Sequence, residues 1–410
     1  MKFSEKNTDW LLHPITKEDF IDNYLEKKYL HISNDSRGRE YYSSLLSRGK
    51  LDLFLNEQSV KYPNIKLVGV DDDFKHSDYT DNEGNIQVSK LYKYYSEGAT
   101  INVNGLHQYL LDLKELCQSL TKETSHKYQT NIYCTPKNSQ GFITHYDSHD
   151  VIVLQVHGTK EWEIYDDPVK LPLKGIEEFE KGMQLNPTLK KTLTLKEGEL
   201  LYIPRGVMHN ARTKDESSIH ITLGLIGTTY YNFMVSIIKD KLINVEGSRK
   251  YLPFGFLNHE DLKKEMEEKL NEILEVLATE DININRDIER VKADRIKNQS
   301  NLVLNQLELI DNMLEEKLDI EKSVFRLKQN IITSAKIIGE EYILSANGQE
   351  HKFPDYIKPC FDIILNAKAF SQEHLKEYLD EEGISVLFEY LICEGLVEIT
   401  DTKKSLLKVG

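Results

Sequence analysis

Cysteine is scarce in this chain. Its four residues, Cys117, Cys134, Cys360 and Cys393, include no CxxC pair. That spacing argues against a zinc ribbon and a disulfide-stapled scaffold, and fits a reducing, cytoplasmic setting. Long apolar runs are also missing. The longest near the middle, Val151 to Val156, contains Gln155 and falls far short of the ~20 residues of a membrane-spanning helix. The opening segment through Phe20 lacks the apolar core of a signal peptide. A soluble protein with no membrane partner is therefore expected. Positive charge is never in surplus. The 52 Lys and Arg against 67 Asp and Glu leave a formal charge of −15, and no quarter of the chain is basic. Holding a phosphate backbone needs concentrated Lys and Arg, so no nucleic-acid partner is expected. What is present is ordinary for a folded chain. The 410 residues are 40% hydrophobic and 29% charged, enough for two or three domains with real cores.

The pattern changes four times along the chain. Residues 1–125 read as mixed α/β, with a helix capped by Thr16 and carrying Asp19 in its first turn. A second helix is predicted from about Gly105 to Leu120, and an exposed acidic loop over 71–85. Residues 126–230 hold short β-branched and aromatic runs at Thr130–Thr135, Val151–Val156, Glu161–Tyr165, Thr192–Leu195, Leu200–Ile203 and Ile219–Leu223. Strands at this spacing indicate an antiparallel sandwich or barrel. Residues 231–345 read as helical. Asn258 and Asp261 form a start signal before the stripe Leu262, Met266, Leu270, Ile273, Leu274 and Leu277, and a second helical stretch runs from about Leu302 to Asn330. Residues 346–410 suggest three helices and a short β-ribbon, as in a winged helix, and their acidity favours a docking role over DNA binding. The corresponding domains are 1–230, 231–345 and 346–410.

The chemistry-bearing segment is Gly141-Phe-Ile-Thr-His145-Tyr-Asp147-Ser-His149-Asp150. On an extended strand, His145 and Asp147 share a face because side chains alternate with period two. Pro204-Arg205-Gly206-Val207-Met208-His209 can bring a third ligand. Two histidines and a carboxylate on one face of a metal leave the opposite face open, which suits non-heme Fe(II) oxygen chemistry. The residues alone also allow plainer readings: a surface His–Asp pair with a loop histidine, or a zinc cupin recruiting His149 or another nearby donor.

Three segments resemble the JmjC-type oxygenases, in particular the ribosomal oxygenases. They are Asn131-Ile-Tyr-Cys-Thr through Asp147, Val153-Leu-Gln-Val-His-Gly-Thr-Lys160-Glu-Trp162, and Gly198 through His209, with Ser218-Ile-His-Ile-Thr-Leu closing the pattern. The resemblance is strongest within residues 131–224. It implies an α+β architecture: a double-stranded β-helix (jelly-roll, cupin) core, then a helical dimerisation region and a C-terminal winged helix. It implies Fe(II) held by His145, Asp147 and His209, with 2-oxoglutarate and O2 as co-substrates. Lys160 occupies the place of the basic residue that pairs with the distal carboxylate of 2-oxoglutarate. A lysine inside a barrel needs such an anionic partner. Asn131 and Thr222 match positions lining the same pocket. The expected activity is hydroxylation of a residue of a protein or peptide, with ribosomal proteins the implied substrate class and a homodimer the implied assembly. Tailoring of a ribosomally made peptide, and a metal cupin acting on a small molecule without 2-oxoglutarate, are the competing readings. No aromatic cage for a methylated lysine is apparent in the sequence.

Overall fold

Alternation along two central strands explains the architecture. In β-strands Asp150–His157 and Leu200–Ile203, neighbouring apolar side chains enter different cores. Ile152, Leu154, Leu200 and Tyr202 pack on one side, and Val151, Val153, Leu201 and Ile203 on the other. A strand covered on both faces reads as a continuous apolar run. That is the origin of the two least polar segments of the sequence. A computed structural model describes residues 6–57, 60–70, 74–258, 260, 262–279, 283–297, 306–328 and 331–402. The chain divides after Gly227 into two compact units.

The first unit contains β1 (Leu30–Ile32), β2 (Ile65–Val68), β3 (Thr100–Asn104), β4 (Lys127–Thr135), β5 (Asp150–His157), β6 (Lys160–Tyr165), β7 (Leu189–Leu195), β8 (Leu200–Ile203), β9 (His209–Arg212) and β10 (Ser218–Ile226). Seven of them form one sheet in the order β1-β8-β5-β10-β4-β3-β2, and β7-β6-β9 form the second. The inner core between the sheets gathers Val151, Val153, Trp162, Ile164, Leu195 and Leu201. Helices α1 (Thr8–Leu12), α2 (Lys17–Asn23), α3 (Arg48–Glu57), α4 (Val88–Ser96) and α5 (Leu111–Thr124) belong to the same unit. Residues of all five join the core on the other face of the large sheet. Thr16 caps α2 by accepting the Asp19 N–H, as the sequence predicts. The helix expected from Gly105 instead starts at Leu111, because Gly105 turns left-handed (φ 69°) into a short 3-10 turn over Leu106–Gln108. Within the expected acidic loop, Tyr79 and Thr80 are buried, and Thr80 bridges to Ile86.

The second unit opens with α6 (Tyr230–Asn244), set by a capping box between Thr229 and Asn232. It continues through α7 (Leu262–Thr279), α8 (Ile284–Lys297) and α9 (Gln306–Leu314). Asp261, Leu302, Leu304 and Asn330 lie outside the described residues. The helical reading of 231–345 is corrected beyond Leu314. Strands β11 (Ser323–Leu327), β12 (Ser334–Ile338) and β13 (Glu341–Ala346) follow, so a boundary at 345/346 would cut β13. β13 pairs with both β12 and β14 (Gln349–Pro354) in a three-stranded meander. The terminal region holds α10 (Lys358–Asn366), a 3-10 turn at Gln372–His374 where a second helix was expected, and α11 (Glu381–Cys393). Its last strand, β15 (Val397–Thr402), pairs with the distant β11 and forms no local ribbon. Phe325, Phe361, Phe370 and Phe388 fill one core shared by these elements.

Candidate metal centre

His145 and Asp147 precede β5 in an irregular segment, so the strand assumed for the His-x-Asp pair is corrected. The only bridge there joins His145 to His209. Their backbones exchange two hydrogen bonds, His145 N to His209 O (3.0 Å) and His209 N to His145 O (2.8 Å). This clamps the His-x-Asp loop to the start of β9. The result is a cluster in which one ligand atom each of His145, Asp147 and His209 lie within 4.8 Å of one another. His149 is absent from that cluster, and its imidazole packs against Gly224.

Both ring tautomers follow from their partners. His145 Nδ1 lies 2.9 Å from the Ile143 carbonyl and His209 Nδ1 3.1 Å from the Val207 carbonyl. A carbonyl only accepts, so each Nδ1 carries the proton and each Nε2 presents a lone pair. Burial and the neighbouring His145 push His209 down to about 4, keeping it neutral. Burial pulls the Asp147 carboxyl upward, but the surrounding imidazoles outweigh it and hold the group below its usual range. The donor set of two neutral imidazoles and one carboxylate fits a divalent metal.

A turn supports this loop. Gly206 N donates to Asp147 O at 3.0 Å, and Arg205 N donates to the buried Asp150, which also receives the Tyr202 hydroxyl. Gly206 has φ +85°, and a Cβ there would sit 2.0 Å from Val169 O. Gly206→Ala is therefore expected to cost on the order of 1–3 kcal/mol. A lowered melting temperature with weakened Co(II) binding would report it.

The triad opens into a cavity of about 210 Å³ that also contains Lys160 and Thr222. Lys160 enters from β6, where Lys160, Trp162 and Ile164 point inward and Glu161, Glu163 and Tyr165 outward. Only 4% of Lys160 is exposed, and its Nζ donates to Thr135 Oγ1 at 2.9 Å. No carboxylate pairs with it among the described salt bridges. Burial pushes its ammonium down to about 7. A buried cation without a counter-charge marks a site for an anionic ligand. Asn131 does not line the cavity, which corrects that expectation. It stands opposite Thr222 in register, but its Oδ1 accepts the Gly105 N–H at 3.2 Å and its side chain supports the Tyr133 hydroxyl. Tyr133, Trp162 and His220 do line the cavity and were not singled out from sequence. Alternation offered the signal: Trp162 lies two residues from Lys160, and His220 two from Thr222. A larger cleft lies across β4, where Cys134 faces away from the neighbouring Tyr133 and Thr135.

Residues 106–233 match the JmjC domain family. The chain carries a JmjC domain. It is 34% identical over 221 residues to the bifunctional lysine-specific demethylase and histidyl-hydroxylase NO66 of Aedes aegypti, over 53% of this chain and 34% of that protein. The NO66 protein of Dictyostelium discoideum is 33% identical over 238 residues, or 57% of this chain and 45% of that one. The chain thus spans less than half the length of these curated relatives. A solved structure of Escherichia coli ycfD aligns over 94% of this chain and 98% of its own with a TM-score of 0.50. At 16% identity that likeness concerns the fold alone. The JmjC domain residues include the whole triad, Lys160 and the strands that carry them.

Proposed function

We propose that the JmjC domain is an Fe(II)- and 2-oxoglutarate-dependent oxygenase that hydroxylates a residue of a protein or peptide. The carrying observation is the His145–Asp147–His209 cluster in one cavity with a buried, uncompensated Lys160. When bound, the metal with 2-oxoglutarate and O2 supplies oxidation of a C–H bond coupled to decarboxylation of the oxo acid to succinate. In this reading His145, Asp147 and His209 hold the metal through two Nε2 atoms and one carboxylate. Lys160 fixes the far carboxylate of the oxo acid, and Val151, Val153 and Trp162 keep water from the reacting face. The names of the NO66 relatives, which join demethylation to histidyl hydroxylation, support oxidation of a protein side chain. A ribosomal protein is the substrate we favour, from the resemblance in sequence.

The test is anaerobic addition of Fe(II) and then 2-oxoglutarate to the full chain. A weak visible charge-transfer band is expected, followed in air by succinate and by addition of one oxygen mass to a substrate. A folded, iron-loaded protein that gives no band overturns the reading. A cupin working without 2-oxoglutarate would give that result.

We further infer that the chain forms a homodimer through α6 to α8. On α7, Leu270 and Leu274 are 55% and 51% exposed, and α6 exposes Val235, Ile238 and Ile243. Contiguous apolar surface of this kind marks an interface. Light scattering is expected to give twice the chain mass. Leu270→Glu combined with Leu274→Glu is expected to give monomers that remain folded. No helix among the described residues is long and apolar enough to cross a membrane.

A further inference from the structure

Two polar atoms in the cavity have no partner. Trp162 Nε1 and His220 Nδ1 are both buried without a hydrogen bond, and both side chains line the cavity with Lys160. Leaving such an atom unpaired costs about 1–3 kcal/mol, and native folds seldom retain one without a reason. Neither ring is free to turn toward water. His220 stacks on Tyr133 with centroids 5.1 Å apart and meets Trp162 edge-on at 5.6 Å. Trp162 in turn lies 5.9 Å from the ring of His209. The indole N–H is a donor only, so its missing partner is an acceptor. Burial, followed by the charge of Lys160, drives His220 well below the ordinary histidine value and keeps it neutral. A neutral ring with its proton on Nδ1 donates without placing a second cation beside Lys160.

Resting on 2-oxoglutarate as co-substrate, we propose that Trp162 Nε1–H and His220 Nδ1–H donate to that dicarboxylate and, with Lys160, form a three-donor cradle that orients it. Specificity for the oxo acid then comes from three side chains on β6 and β10, separate from the metal ligands. An oxo acid with a single carboxylate, such as pyruvate, leaves part of the cradle unpaired and is rejected.

The test measures binding by the full chain loaded with Mn(II), which holds the co-substrate without turnover. Calorimetry with 2-oxoglutarate is run on the unaltered protein and on Trp162→Phe, His220→Phe and His220→Asn. Each phenylalanine variant is expected to raise Kd on the order of 10- to 100-fold, the loss of one hydrogen bond to a charged group. Mn(II) affinity should not change. His220→Asn, whose amide nitrogen sits near the Nδ1 position, should restore binding to within a few fold. A Kd within about threefold of the unaltered protein in both phenylalanine variants overturns the proposal. Weakening in His220→Phe that asparagine does not relieve removes His220 as a donor and leaves it a packing role. Thermal melting checks folding, and Trp162→Phe carries the test if His220→Phe does not fold. Failure of the unaltered Mn(II) protein to bind 2-oxoglutarate overturns the co-substrate reading itself.

Discussion

Asp147→Ala is expected to abolish succinate formation, lowering turnover on the order of a thousand-fold or more, because the bound metal supplies the chemistry. Asp147 is the only anionic donor in the cluster. Without it, two neutral imidazoles face a divalent cation with no carboxylate to balance the charge. The fold should survive. In the metal-free protein the Asp147 carboxylate has one close polar neighbour, His209 Nε2 at 3.6 Å, and the loop is held by backbone bonds to His209 and Gly206. Circular dichroism should therefore match the unaltered protein while Co(II) titration shows lost affinity. Succinate production above background in Asp147→Ala would place the metal elsewhere. His145→Ala and His209→Ala should behave alike, since each removes an Nε2 whose partner nitrogen is already committed to a carbonyl.

Lys160→Met should separate stability from function. In the empty pocket, burial lowers the ammonium from 10.5 to about 7. The unfolded chain keeps the ordinary lysine value. Between those values the unfolded chain binds a proton that the folded chain lacks, so stability rises with pH across the window. The burial penalty is complete below about pH 7 and vanishes above 10.5. Methionine removes it. The variant without ligand should melt higher than the unaltered protein at pH 7, and its stability should lose this slope between pH 7 and 10. Its affinity for 2-oxoglutarate should fall by roughly 100-fold or more, the loss expected when a buried ion pair is left with one partner. In the unaltered protein at pH 8, binding should take up part of a proton, because the dicarboxylate restores the charged form of Lys160. Calorimetry in buffers of different ionisation enthalpy measures that uptake. Equal stability and equal affinity in Lys160→Met would show that the lysine carries no buried charge and holds no ligand.

The chain order of the site was legible in the sequence, but its geometry was only partly so. His145, Asp147 and His209 were identified from residue type and the Pro-Arg-Gly turn. The strand assumed to align the first two does not exist, because their alignment comes from a tertiary clamp to β9. Asn131 was misplaced for a related reason. Register does set it opposite Thr222, but the turn at Gly105 takes its side-chain oxygen, and that turn was hidden beneath an apparent helix. Strands β5 and β8 were read within a residue of their bounds because burial on both faces leaves an unbroken apolar signature. The region after Leu314 was misread for the opposite reason. Ser323–Leu327 has no nearby strand to pair with, and only Val397–Thr402, far along the chain, completes it.

That pairing also bears on how the second unit is built during synthesis. Phe325 cannot enter its finished surroundings until Phe388 and then Val397 have been made, because β15 closes the sheet that β11 begins. The intervening meander of β12 to β14 can form from local hairpins as it emerges, whereas β11 must wait with an open edge. The entropy of closing so long a loop is met only at the last step. A nascent chain halted before Gly395 would carry an unpaired strand beside exposed phenylalanines, which makes it a natural client for chaperones.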